Sequence, residues 1–288
     1  MSPTGRLVVD QIRTALIARA NADGGWGYYE GDASRLEPTC WALLGLLSAN
    51  ALDQRAIVNA AELVGRWQRN DGLLVEPELG PEDRPNVAFN GLAAWLLLQH
   101  RELAARTSID ALVGALGRAK GIALPASTIN RQDNALQGWA WIEGEFSWVE
   151  PTCWGLIALK AASTVREHAR VQEAERLLID RCCPAGGWNY GNSNMLGQAL
   201  HAYVPTSALG ILAMQDRMDE PCVRRSLEFL KEHRTTERSA MALGLALIAL
   251  RALGEAAADV EDALAAQWQR TGFLANAHLM GLALYSIA

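Results

Sequence analysis

Glu37-Pro38-Thr39-Cys40-Trp41 returns letter for letter at Glu150-Pro151-Thr152-Cys153-Trp154, and Pro205-Thr206-Ser207-Ala208-Leu209 keeps the same frame. Five identical residues 113 positions apart (150 minus 37) mark an internal duplication, and a repeated unit dictates architecture before any local pattern does. A second unit runs ahead of the first. Gly24-Gly25-Trp26-Gly27-Tyr28 is echoed at Gly186-Gly187-Trp188-Asn189-Tyr190 and, more loosely, at Gly138-Trp139-Ala140-Trp141. Each proline opens an Ala- and Leu-rich run, and proline in the first helical turn, where its missing N–H leaves nothing unpaired, is a helix start.

Outward from these starts, helical spacing predicts twelve helices, over residues 7–20, 38–49, 53–69, 87–100, 102–118, 151–163, 165–182, 205–216, 219–233, 237–253, 255–270 and 275–287. They alternate in character. The odd-numbered helices carry charges at helical spacing, such as Asp53, Arg55, Glu62, Arg66 and Arg69, whereas the even-numbered ones are almost wholly apolar, as over Trp41 to Leu47 and Met241 to Leu250. Amphipathic helices belong outside and apolar ones inside. The expected fold is therefore all-α, an (α/α)6 toroid of six outer-inner helix pairs around a central cavity. A closed ring suits the chain better than an open solenoid, because its apolar last helix carries no polar cap. No linker or low-complexity stretch interrupts the pattern, so residues 1–288 read as a single toroid domain. The longer connections, 71–86, 121–149 and 184–203, each lead from an outer helix to the next inner one, and long loops at one end of a rigid scaffold are where sites are built.

With 288 residues, half of them hydrophobic, the chain can bury a large core. Its net charge of −6 and the lack of any Lys/Arg cluster argue against a nucleic-acid partner. Met1 to Asp10 has no secretory pattern and no run reaches the length of a membrane span, so a cytoplasmic protein without a transmembrane segment is expected. Cys40, Cys153, Cys182, Cys183 and Cys222 are odd in number and form no CxxC pair, which predicts reduced thiols.

Asp23-Gly24-Gly25-Trp26-Gly27, followed by Glu37-Pro38-Thr39-Cys40-Trp41-Ala42-Leu43-Leu44, resembles the prenyltransferase and squalene-cyclase repeat, and the resemblance extends in weaker form along nearly the whole chain. It implies the αα toroid of the terpenoid cyclases and protein prenyltransferases, with an isoprenoid or other apolar small molecule as partner. The chain departs from that family where chemistry is concerned. It has no Asp-x-Asp-Asp run, the acid of class II cyclases. The zinc of protein prenyltransferases needs Asp, Cys and His together, and the Asp-x-Cys available, Asp180-Arg181-Cys182, ends an outer helix; no metal site is expected. No cofactor is called for, although Mg2+ would accompany a diphosphate substrate.

Aligning the inner helices by their apolar runs sets Glu37, Asn86, Glu150, Val204, Glu237 and Asn276 level with one another. Glu37, Glu150 and Glu237 then form a carboxylate ring at one mouth of the cavity, where like charges would raise a pKa into the range of acid catalysis. They are the candidate catalytic residues, and attraction to the helix macrodipole is the competing account of them. Four residues deeper the stripe carries Trp41, Asn90 and Trp154. Tyr28, Trp141, Tyr190 and Tyr203 lie in the long loops as candidate rim aromatics. Arg35, two residues before Glu37, Arg84, two before Asn86, and His201 are candidate binders of a diphosphate, with salt bridges as the alternative. The leading expectation is a terpene cyclase-like or prenyltransferase-like enzyme, a transferase or isomerase with an unusual acid. The alternatives are a non-catalytic module binding a lipid or protein partner, and an (α/α)6 glycosidase using two of Glu143, Glu145 and Asp133.

Overall fold

The computed structural model describes residues 3–76, 84–162 and 168–288. Twelve α-helices are present there: α1 (Pro3–Ala18), α2 (Leu36–Ser48), α3 (Gln54–Trp67), α4 (Val87–Gln99), α5 (Ile109–Arg118), α6 (Val149–Ala162), α7 (His168–Arg181), α8 (Val204–Ala213), α9 (Pro221–His233), α10 (Ala240–Ala252), α11 (Ala258–Thr271) and α12 (Ala277–Ile287). The even-numbered helices pack side by side in the order α2, α4, α6, α8, α10, α12, and α12 returns to α2, so the ring is closed. The outer helices lie behind them. α3, for example, buries Ala60, Ala61, Leu63, Val64 and Trp67 as one stripe and leaves its charged face outside, while α2 is buried continuously from Pro38 to Leu46. No helix among the described residues is long and apolar enough to cross a membrane.

Some boundaries differ from expectation. Residues 102–118 form a 3-10 turn, Arg101–Ala104, and then α5, because Ser108 caps a new helix by accepting from Ala111 N. α10 starts at Ala240 behind its cap Ser239, three residues later than Glu237. A two-residue antiparallel hairpin, Asn194–Met195 with Gln198–Ala199, sits in the loop before α8. The expected start of α7 at residue 165 lies outside the described residues.

The Gly-Trp and Pro-Thr units turn out to be two halves of one clamp. The amides of Trp26, Trp139 and Trp188 donate to Thr39 Oγ1 (3.0 Å), Thr152 Oγ1 (3.0 Å) and Ser207 Oγ (2.9 Å). Their indole N–H groups donate to the outer-helix carbonyls of Leu16, Leu116 and Leu178 at 2.8, 2.9 and 2.7 Å. Each tryptophan thereby ties an outer helix to the inner helix that follows it. A Cβ on Gly138 would fall 2.2 Å from Thr152 Oγ1, so the clamp leaves no room for a side chain there. Gly24 and Gly186 have φ of +92° and +93° and press on the backbones of Asn59 and Arg225 in the next outer helices, which glycine alone accommodates.

A further hydrogen bond links five of the six pairs to the next. The first amide of α4 donates to Trp141 O (2.8 Å), that of α6 to Tyr190 O (3.0 Å) and that of α12 to Tyr28 O (2.9 Å). Leu36 N in α2 and Val204 N in α8 donate instead to Glu76 Oε1 (2.7 Å) and Glu237 Oε1 (3.4 Å). These amides are among the orphans of a helix start, and the loop of the following repeat satisfies them. The bond from α12 to Tyr28 ties the last pair to the first.

Candidate functional site

Counting from the first helical residue gives the inner helices a common register. The fifth residue is always small: Cys40, Gly91, Cys153, Ala208, Gly244 and Gly281. Small residues there let the backbones approach, since a Cβ on Gly281 would meet Trp41 C at 2.4 Å and one on Gly91 would meet Trp154 C at 2.8 Å. In this register the second position carries Glu37, Ala88, Glu150, Pro205, Met241 and His278. The expected carboxylate ring is thus corrected to two glutamates and a histidine.

Glu37 is the hub. Its Oε2 accepts from the Tyr28 hydroxyl at 2.5 Å and stands 3.6 Å from His278 Nδ1. Burial above all, with Glu76 adding to it and Tyr28 opposing, pushes the Glu37 carboxyl from 4.5 up to about 7. Glu150 also rises to about 7, through burial and then the charge of Glu37, while a hydrogen bond with Trp154 partly offsets the rise. The two carboxyls therefore share one electrostatic field. Burial lowers His278 to about 4, so its contact with Glu37 is a neutral imidazole beside a carboxyl rather than an ion pair. Burial and the Glu37 charge hold the Tyr28 phenol protonated far beyond its ordinary value.

Beneath these groups lies an aromatic floor. The rings of Trp41 and Trp154 are 5.8 Å apart, Trp95 lies 6.4 and 5.9 Å from them, and Tyr285 lies 5.5 Å from Trp95. His278 stacks on Trp41 at 6.2 Å with an interplanar angle of 11°. Four inner helices, α2, α4, α6 and α12, supply this cluster. The Cys40 and Cys153 thiols beside it are fully buried and pushed up, which leaves them unreactive.

Of the candidates named from the sequence, Glu37, Glu150, Tyr28, Trp41 and Trp154 come together here. Glu237 does not: it precedes α10 and caps α8. Asn86 is the N-cap of α4, accepting from Phe89 N at 3.0 Å. Asn90 is fully buried and binds Leu74 through both backbone groups, at 2.7 and 3.0 Å, which is a structural task. Trp141 packs on Phe89 at 6.1 Å, and its carbonyl caps α4. Arg35 precedes α2 with its Nε 3.6 Å from Glu76, whereas exposed Arg84 donates to Glu143 O at 2.5 Å, so neither needs a diphosphate as partner. Tyr190 and Tyr203 form an exposed pair 5.2 Å apart on the rim. His201 is exposed beside a cavity of about 320 Å3 that also touches Phe229, His233 and Glu237, apart from the aromatic floor. Glu143, Glu145 and Asp133 stay in the long loop; the Asp133 carboxylate accepts from Ala135 N at 3.0 Å. Asp180 pairs with Arg181, and Cys182 turns toward Cys222 instead of a metal set.

The residues missed were Trp95, Tyr285 and Glu76, while His278, which its helix position sets near the lumen, was given no role. A register taken from the small fifth residue, in place of the apolar run, places His278 level with Glu37.

No protein-family model and no curated protein matches the sequence. Solved structures do match. A protein from Actinoplanes superposes with a TM-score of 0.62 at 17% identity over 98% of both chains. A variant of the type II terpene cyclase MstE from Scytonema, in complex with geranylgeranyl dihydroxybenzoate, gives 0.57 at 15% over 100% of this chain and 98% of that one. A glycosidase variant in complex with glucose gives 0.56 at 13% over 99% and 95%. The fold is an αα toroid. At these identities the likeness establishes the toroid and leaves the reaction to the residues.

Proposed function

We propose that the chain is an acid–base enzyme acting on an isoprenoid, with Glu37 as proton donor, Glu150 as its partner carboxyl and the Trp41, Trp95, Trp154 and Tyr285 cluster as the surface that carries the apolar chain. The observation that carries this reading is the pair of buried carboxyls beside the indole cluster: Glu150 hydrogen-bonds with Trp154, and His278, which touches Glu37, stacks on Trp41. Indoles attract a cation by about 0.5 to 2 kcal/mol per well-placed ring, so a carbocation formed above them is stabilised. The raised pKa also bears on the step. A carboxyl near 7 is about half protonated at neutral pH and is a weak acid, so its acceptor is an oxygen, an epoxide or an ester-type leaving group, rather than a bare alkene. The O–H bond of Glu37 breaks as the new O–H bond on the substrate forms, and Glu150 in its ionised form takes the proton lost when the cation collapses. The geranylgeranyl compound bound by the terpene cyclase supports an isoprenoid of this kind.

A second reading rests on the same pair. Two carboxyls, one held protonated, are the machinery for protonating a glycosidic oxygen, and glycosidases share the fold. The deciding experiment incubates the protein with farnesyl and geranylgeranyl diphosphates, an isoprenoid epoxide and aryl glycosides, each with and without Mg2+, followed by mass spectrometry of the products. Conversion of an isoprenoid that is lost in Glu37→Gln supports the proposal. Turnover of a glycoside alone replaces it with the second reading, and a folded protein that converts none of them overturns both.

A further inference from the structure

Away from this site, two cysteines from different repeats lie together. Cys182 follows the last residue of α7, and Cys222 is the second residue of α9. The Cys182 thiol packs against the first turn of α9, and the protonation of each thiol depends on the other. Cys182 Sγ also lies 3.8 Å from Cys222 O and 3.7 Å from Ser226 Oγ, so it sits against the first turn of α9. Cys182 is only partly buried while Cys222 is 5% exposed. The thiols are unequal in protonation too. The Cys222 thiol and the Ser226 hydroxyl, with the nearby Arg225 charge, lower Cys182 below the ordinary thiol value against the opposing effect of burial. The neighbouring Cys182 and burial push Cys222 up, so it remains a thiol.

We propose that Cys182 and Cys222 form a peroxide-reactive modification site, with Cys182 as the attacking thiol and Cys222 as the resolving one. The Cys182 thiolate attacks one oxygen of a hydroperoxide, the O–O bond breaks, and the sulfur becomes a sulfenic acid as hydroxide or alkoxide leaves. Cys222 then attacks the sulfenyl sulfur. The S–S bond forms, the S–O bond breaks, and the Cys222 proton leaves with the hydroxide as water. Each peroxide is reduced by two electrons and the thiol pair is oxidised by two, and a dithiol reverses the change by exchange. The disulfide would staple the end of α7 to the start of α9 across repeats four and five, beside the clamp that holds Trp188.

The neighbouring Cys183 does not compete. Its thiol is pushed up to about 11 by burial and by Cys182, and it is 1% exposed.

The test is hydrogen peroxide titration of the whole protein, read by intact mass, free-thiol count and a non-reducing peptide map. The expected result is loss of two thiols and the mass of two hydrogens, a single cross-link between the Cys182 and Cys222 peptides, reversal by dithiothreitol, and a higher melting temperature for the oxidised form. In Cys222→Ser the oxidation stops at a sulfenic acid on Cys182 that dimedone traps, and in Cys182→Ser the fast phase disappears. Alkylation of the wild-type protein by iodoacetamide, mapped against pH, gives a readout independent of the variants, with Cys182 labelled first and with a midpoint below that of free cysteine. A cross-link from Cys182 to Cys183, fast oxidation that survives in Cys182→Ser, or alkylation of Cys182 no faster than free cysteine at pH 7 would each overturn the assignment.

Discussion

Glu37 shows how a single residue acquires its chemistry from position alone. The same side chain at an exposed helix start would ionise at its ordinary 4.5, and here burial moves it to about 7. The shift ties stability to pH. The native state keeps protons on Glu37 and Glu150 that the unfolded chain releases, so their stabilising contribution is full below 4.5 and is lost as the pH rises through about 7. His278 acts in the opposite sense: its folded value of about 4 lies below the ordinary 6.5, so its contribution is present above 6.5 and lost as the pH falls through 4. Glu37→Gln is therefore expected to stabilise the protein at pH 8 by roughly 1 to 3 kcal/mol and to change little at pH 4.5, as read by thermal melts at the two pH values. Tyr28→Phe removes a donor that favours ionised Glu37. The alkaline limb of a pH–rate profile should then move upward, and a limb that moves down or stays in place would show that Tyr28 does not set the Glu37 proton. Glu37 and Glu150 titrate as a pair, so the profile reports the pair and not either residue alone.

At the scale of helices and loops, the repeated letters serve the scaffold. Thr39 and Thr152 receive tryptophan amides in the core, and this bond explains why the Gly-Trp and Pro-Thr units travel together. Thr152→Val keeps the shape and leaves the Trp139 amide unpaired, an expected loss of about 1 to 3 kcal/mol in denaturant unfolding. Thr152→Ser should recover most of it, and equal losses in the two variants would show that packing, not the hydroxyl, holds the clamp. The helices themselves were legible in the sequence because apolar and amphipathic runs alternate without exception. Their starts were not. An asparagine cap at Asn86 or Asn276 and a buried glutamate at Glu37 or Glu150 both stand at the head of an apolar run, yet they occupy different positions of the first turn. That offset drew Glu237 into the candidate site and left His278 out.

Over the whole molecule, two close seams shape the ring. α2 meets α12 through Gly45 and Gly281, α4 meets α6 through Gly91, and these contacts bring Trp41, Trp95, Trp154, Tyr285 and His278 to one centre. Gly281→Val would force the α2 and α12 backbones apart, since its first added carbon would lie 2.4 Å from Trp41 C. The expected outcome is a loss of about 1 to 3 kcal/mol or more, together with weakened packing of Trp41 visible in tryptophan fluorescence. An unchanged emission spectrum and melt would mean that the seam does not organise the floor. The amino-acid order by itself determined the toroid, its six pairs and their inner or outer place, because hydrophobic periodicity and duplication are properties of neighbours along the chain. The partnership of Glu37 with Tyr28, His278 and Glu150, and that of Cys182 with Cys222, emerged only on folding. Those groups are far apart in sequence and meet because helix starts from different repeats converge, and a pKa depends on what surrounds a group in space.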